Sequence, residues 1–282
     1  MLKSKILNLS LLAFVLTLFG CDKGKQTVSV TEEASLKNNK NIDDVLIDNS
    51  HRLTEFDANL FDFTPSSTTG AVIKRDSYIF SYNEKHEQSE WVAYVLTKDD
   101  VKYRKYERPY FVQDPMVTTG SADWRNYKNG PYNKGHLLPA ADRRKSFSDY
   151  KETFYTSNIS PQLPEFNSGI WNRLEEKVRY WATKYDSLYV VTGGVLEKNL
   201  PTIGHEQVSV PNYFYKVLMT KDASKMIAFL VPHEESDLPL YEFVTSVDSI
   251  EKITGIDFFE QLPKDIQDRM EKSVSYKEWS FE

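Results

Sequence analysis

Trp171, Leu174, Val178 and Trp181 recur at the i, i+3, i+7, i+10 spacing of one buried helical face. A helix over 166–184 with two tryptophans on its stripe needs a broad apolar surface to cover it. The rest of the chain supplies strands for that surface. Short runs rich in aromatic and β-branched residues fall at 71–75, 78–82, 91–97, 154–157, 188–192, 213–220 and 227–231, bounded by turn residues such as Asn83-Glu84 and Lys221-Asp222. Shorter helices are expected over 240–245, 247–254 and 264–273. Strand pairs, a central helix and further strands predict an α+β (mixed α/β) fold, a largely antiparallel central sheet with helices packed on it. The apolar pattern starts near Phe56 and continues without an internal repeat, so one domain is expected over 51–282. A chain of 282 residues with 40 % hydrophobic content can bury a core of that size.

Residues ahead of this domain read differently. Lys3 and Lys5 make a positive start, 6–18 is mostly apolar but interrupted by Asn8 and Ser10, and Gly20 precedes Cys21, the only cysteine. A membrane-spanning helix needs about 20 apolar residues, so this stretch fits a cleaved signal better. The arrangement resembles a bacterial lipoprotein signal. That resemblance implies a signal peptide over 1–20, a lipidated Cys21, and a lipid-anchored position in the bacterial cell envelope, on the periplasmic or surface face of a membrane. Residues 22–50 are polar and almost free of aromatics, the composition of a disordered tether. A plain secretory signal with an incidental cysteine is the alternative. A single cysteine makes no internal disulfide.

The net charge of −6 announces no nucleic-acid binder, yet over 128–184 ten Lys/Arg stand against six Asp/Glu. A local positive excess attracts polyanions whatever the total charge. Inside this stretch lies Tyr132-Asn133-Lys134-Gly135-His136-Leu137. Gly135 is expected to permit a turn that lifts the His136 imidazole out of a sheet edge, and a neutral imidazole can take a proton from water at physiological pH. On the expected helix, at about 100° per residue, Glu175 lies about 80° and Arg179 about 120° round from Asn167, beside the apolar stripe. An amide oxygen and a carboxylate so placed can hold a hard, hydrated cation such as Mg²⁺ through few direct bonds. Each residue also has a plainer reading. Asn167 would serve as a helix N-cap, Glu175 with Arg179 as an i, i+4 surface pair, and Gly135-His136 as a structural turn.

Taken in order, Asn133-Lys134-Gly135-His136-Leu137, Ala141-Asp142-Arg143, Ser157-Asn158-Ile159-Ser160-Pro161-Gln162 and Asn167-x-Gly169-x-Trp171-x-x-Leu174-Glu175 resemble the DNA/RNA non-specific endonucleases, the ββα-metal nuclease family. Arg108-x-x-Phe111, Val191-Thr192-Gly193-Gly194-Val195 and the stretch 250–259 agree with it, so the resemblance runs from about Arg75 to the C-terminus. It implies a ββα-metal nuclease fold and a metal-dependent endonuclease that meets DNA and RNA through the phosphate backbone. Position by position, it implies that His136 is the general base activating the attacking water. Asn167 would be the sole direct protein ligand of one Mg²⁺, with Mn²⁺ able to substitute, and Glu175 would hold the metal's water shell. Arg179 and Arg108 would steady the phosphate as charge builds on it. A metal-bound water would protonate the leaving 3′ oxygen and leave 5′-phosphate ends. In the family the residue two before the histidine is usually Arg, preceded by Asp. Lys134 keeps the charge but loses the bidentate fork, and Asn133 leaves open what orients this loop.

Other groups carry weaker signals. Arg143-Arg144-Lys145 is either a phosphate track or a solvated basic turn. Trp124, Tyr127 and Tyr132 either stack on bases or, the favoured reading, pack in the core. His205 and His233 are expected to be structural or exposed, and Glu234-Glu235 a solvated pair. Two further functions fit the sequence: a catalytically degenerate surface lipoprotein of the same fold that binds nucleic acid or protein, and a phosphodiesterase for small nucleotides.

Overall fold

The structure, a computed structural model, describes residues 63–102 and 104–281. The expected signal peptide, Cys21, the tether and the start of the expected domain lie outside the described residues. Among the described residues no helix is long and apolar enough to cross a membrane.

In chain order the strands are β1 (Val72–Lys74), β2 (Ile79–Asn83), β3 (Gln88–Thr97), β4 (Asn133–His136), β5 (Ile159–Gln162), β6 (Ser187–Gly194), β7 (Thr202–Ile203), β8 (Val208–Ser209), β9 (Tyr213–Thr220), β10 (Met226–Pro232) and β11 (Val244–Thr245). Seven of them form one sheet in the order β1-β2-β3-β6-β9-β10-β11, while β4-β5 and β7-β8 form two small ribbons. Every neighbouring pair in the large sheet is antiparallel. The helices are α1 (Phe147–Glu152), α2 (Pro164–Phe166), α3 (Asn172–Lys184), α4 (Val247–Thr254) and α5 (Lys264–Glu271).

Both faces of the sheet are covered, so its central strands are buried along nearly their whole length and mostly apolar. Side chains alternate between the faces. Val92, Tyr94 and Leu96 of β3 join Leu188, Val190, Phe214 and Leu218 in one core, with Trp171, Leu174, Val178 and Trp181 laid over them. All four residues of the expected helical stripe are buried, each contributing about 1.5–3 kcal/mol by area. Trp91, Ala93, Tyr189, Val191, Tyr215 and Val217 face the other way, against Val247 and Ile250 of α4 and Ile266 and Met270 of α5.

Three local expectations are corrected. The run 154–157 is not a strand. It makes a single parallel bridge, Val112 to Tyr155, and then turns through Thr156–Asn158 into β5. The Asn158 amide causes the turn by bonding the backbone of Leu138 and Thr153, which outweighs the β-propensity of Phe154 and Tyr155. The segment 240–245 divides into a 3₁₀ turn, Leu240–Phe243, and the edge strand β11. β4 was not expected, because Asn-Lys-Gly-His has no strand-forming side chain; its pairing with β5 makes it a strand.

Candidate active site

β4, β5 and the helical run from Pro164 to Lys184 form a ββα unit. Lys134 pairs with Pro161, Gly135 with Ser160 and His136 with Ile159. Gly135 does not make the expected turn. It lies within the strand, where an added Cβ would collide with the side chain of Gln162, itself fully buried. Glycine is required here for close approach of two strands, not for a special dihedral.

This pairing sets the His136 ring edge-on to Phe154, with centroids 5.1 Å apart and planes at 84°, and 5.6 Å from Phe111. The residue keeps some contact with solvent, but its Nε2 is covered and has no hydrogen-bond partner. Burial, and secondarily the charge of Arg108, pulls its pKa down to about 3, so the imidazole is neutral at physiological pH. Beyond the ring, Leu137 N donates to the Asn158 carbonyl (2.9 Å) and Leu138 N to Asn158 Oδ1 (2.8 Å), while Asn158 Nδ2 donates back to the Leu138 carbonyl (2.9 Å). Asn158 therefore holds the chain after His136, a role that Asn133 had left open.

The segment carrying Arg108 is fixed beside the histidine by Val112 N to Phe154 O and Thr156 N to Val112 O. Just beyond it the buried Asp114 pairs with Arg75 and accepts from Ser157 Oγ; removing one partner of such a pair costs about 3–5 kcal/mol. The Arg108 guanidinium lies 5.6 Å from the Phe111 and Phe154 centroids, and Lys134 Nζ lies 5.4 Å from that of Phe111. Arg108, Lys134 and His136 thus share one aromatic floor. Neither cation has an acidic partner among the described residues, and burial, with Arg108 adding to it, lowers the pKa of Lys134. A cleft of about 650 Å³ opens here, lined by Arg108, Tyr110, Phe111, Trp124 and Lys134 among others. Tyr110, 91 % exposed, and Trp124, 42 % exposed, line it as well.

The helical run departs from the expected wheel. It opens at Pro164, two residues early, passes through a π-helical segment, Asn167–Trp171, and continues as α3. Gly169 (φ −95°, ψ −111°) leaves the helical conformation, so a uniform 100° step does not relate Asn167 to Glu175. Such π-bulges occur often at functional sites. Asn167 is not an N-cap. Its backbone is helical (φ −61°, ψ −44°) and its N donates to the Leu163 carbonyl at 2.9 Å. His233 holds the start of the run, accepting from Leu163 N at Nε2 (2.7 Å) and donating from Nδ1 to the Pro211 carbonyl (2.9 Å); its role is structural, as expected.

The Arg179 guanidinium does not pair with Glu175. Its Nη1 donates to Asp142 Oδ1 at 3.0 Å, and the Tyr94 hydroxyl donates to Asp142 Oδ2 at 3.0 Å, with Asp142 fully buried. Arg143 is also buried, donating to the backbone carbonyls of Asp142, Ser77 and Val95, so it is no part of a phosphate track. Tyr127 is in the core, Tyr132 leans on His233, and Glu234, Glu235 and His205 are exposed.

Beneath Glu175 lies Lys216, a residue the motifs did not reveal. Its Nζ donates to Thr192 Oγ1 (3.1 Å), its partner across β6 and β9, and sits 4.4 Å from the Trp171 ring. Burial raises the Glu175 pKa and Lys216 opposes that rise; burial lowers the Lys216 pKa and Glu175 opposes that fall. The available signal was a lysine on the inward face of β9, between Phe214 and Leu218. Asn167 and Glu175 together fit a hydrated hard cation. Both are oxygen donors without a hydrogen-bonding protein partner for their side chains among the described residues.

Residues 57–265 match the family model of the DNA/RNA non-specific endonucleases. The chain belongs to that family. It is 32 % identical to the mitochondrial nuclease EXOG of Danio rerio over 67 % of this chain and 60 % of that protein. Nuclease C1 of Cunninghamella echinulata var. echinulata is 29 % identical over 72 % of this chain and 88 % of its own. Endonuclease G of Homo sapiens is 29 % identical over 65 % and 68 %. A chain in a crystal structure of the EndoG/EndoGI complex superposes with a TM-score of 0.63 at 30 % identity, covering 68 % of this chain and 87 % of that one. Within this chain, the β4-β5-helix unit is the ββα element of the ββα-metal nuclease fold.

Proposed function

We propose that the protein is a Mg²⁺-dependent endonuclease that hydrolyses phosphodiester bonds of DNA and RNA without sequence preference, with His136 as general base. The observation that carries this reading is the neutral, partly exposed imidazole of His136 standing beside two cations, Arg108 and Lys134, that have no acidic partner among the described residues. His136 takes the proton of a water that attacks phosphorus. The bond to the 3′ oxygen breaks, and the products carry a 3′-hydroxyl and a 5′-phosphate. Arg108 and Lys134 grip the phosphate oxygens, and Arg179, immobilised by Asp142, adds a positioned charge. Asn167 and Glu175 would hold Mg²⁺, or Mn²⁺ in its place. When bound, the metal neutralises charge that builds on the phosphate and the leaving oxygen.

The cations and aromatic faces of the cleft lining suit contact with phosphates and stacking on bases, neither of which reads sequence. We also propose that Cys21 is lipidated and tethers the enzyme in the bacterial cell envelope, on the strength of the signal-like sequence that precedes it; loss of fatty-acid labelling in Cys21→Ser would test this. The nuclease reading is tested with the purified full-length chain on plasmid and on total RNA, with Mg²⁺, with EDTA, and with His136→Ala. Cleavage of both substrates is expected, abolished by chelator and reduced about 10²–10⁴-fold by the substitution. No cleavage in any divalent metal would overturn it in favour of nucleic-acid or protein binding without catalysis.

A further inference from the structure

On the sheet face opposite α3, helices α4 and α5 bring three acids together. Asp248 and Glu251, one turn apart on α4, face Glu271 at the end of α5, and one carboxylate oxygen of each lies within 4.8 Å of the other two. None of the three pairs with a lysine or arginine among the described residues. Lys264, whose charge acts on Glu251, is bound to Asp268 at 2.9 Å. Independently, Glu271 is only 3 % exposed and its Oε1 is covered with no hydrogen-bond donor. A buried carboxylate oxygen left without a partner is costly. The neighbouring carboxylate of Glu251 repels its charge, which adds to that cost. Glu251 has one polar contact of its own, accepting from Phe258 N at 2.9 Å, and Asp257 adds further negative charge beside it.

The geometry points to a divalent-cation site for Ca²⁺ formed by Asp248, Glu251 and Glu271, separate from the nuclease centre and clamping α5 to α4. All three donors are carboxylate oxygens on two separate helices, so small shifts bring them onto one hard cation, and the irregular six-to-eight-oxygen shell of Ca²⁺ suits them better than the strict octahedron of Mg²⁺. Asp248 and Glu251 are partly exposed, which leaves room for the waters that complete six to eight ligands.

The test is calorimetric titration of CaCl₂ into the chelator-stripped full-length chain carrying Asn167→Ala, which removes the direct ligand of the nuclease metal. One Ca²⁺ per chain is expected, with a Tm rise of about 5 °C or more at saturation and weaker binding of Mg²⁺. Asp248→Asn and Glu271→Gln, each added to that background, should abolish both the heat and the Tm rise. Glu271→Gln keeps the shape and removes a buried charge, so its metal-free Tm should equal or exceed the parent's, which confirms folding. Absence of any Ca²⁺ heat or Tm shift in the parent would overturn the proposal and leave Glu271 neutralised by a proton. An unchanged Ca²⁺ response in the two added variants would overturn it equally.

Discussion

Burial against Phe111 and Phe154, with Arg108 nearby, pulls the His136 pKa from its ordinary 6.5 to about 3. The general base proposed here must be neutral, so a depressed pKa extends competence toward acid. The acid limb of kcat/KM is expected well below pH 6.5, and Arg108→Gln should move it upward; an acid limb at 6.5 or above in the unaltered enzyme would contradict this. The linked stability runs the same way. An unfolded His136 binds a proton that the folded one refuses, so its contribution is intact above pH 6.5 and declines as pH falls toward 3. Gly135 gives a second prediction. Gly135→Ala should cost about 1–3 kcal/mol in urea unfolding through the clash with buried Gln162, and Gln162→Ala in the same chain should recover most of it. His136, Asn167 and Glu175 could be singled out in the sequence because the proposed chemistry restricts which residue types can serve. Lys216 and the role of Asp142 were not, because they depend on Thr192 across two strands and on Arg179 from a distant helix.

The π-segment Asn167–Trp171 joins the amide to the helix that carries Glu175. Deleting Gly169, the residue outside helical geometry, should let the run close as continuous α-helix. Asn167 would then turn by about 100° relative to Glu175. Cleavage is expected to fall to the level of Asn167→Ala while helix content by circular dichroism is unchanged; retained cleavage would show that this register does not matter. The helix itself was plain from the Trp171-to-Trp181 stripe, since burial on one face enforces a 3.6-residue period. Its register was not, because an inserted residue leaves that stripe intact downstream. β4 was hidden for a related reason: its strand character resides in the partner β5, not in its own polar residues.

At the scale of the molecule, the sequence shows a positive stretch over 128–184 in a chain of net charge −6, and folding reduces what that stretch offers a polyanion. Arg143 is spent on backbone carbonyls, and Arg179 is tied to Asp142, which leaves it a fixed charge within the site and not a free cation. From that stretch Lys134 faces the cleft, joined by Arg108 from outside it, and neither has an acidic partner among the described residues. Exposed charges elsewhere are screened beyond about 8 Å at physiological salt, so the acidic total does little to oppose binding at the cleft. Each neutralised phosphate of a duplex contributes about −0.9 to the slope of log K against log salt, and two cations predict a slope of about −2. The measurement is binding of a short duplex by His136→Ala across a sodium chloride series. Lys134→Ala in that chain should reduce the slope by about one and weaken all sequences alike. A slope of −5 or steeper would mean that a basic track away from the cleft carries the nucleic acid, with Lys145 and Lys151 the first residues to replace.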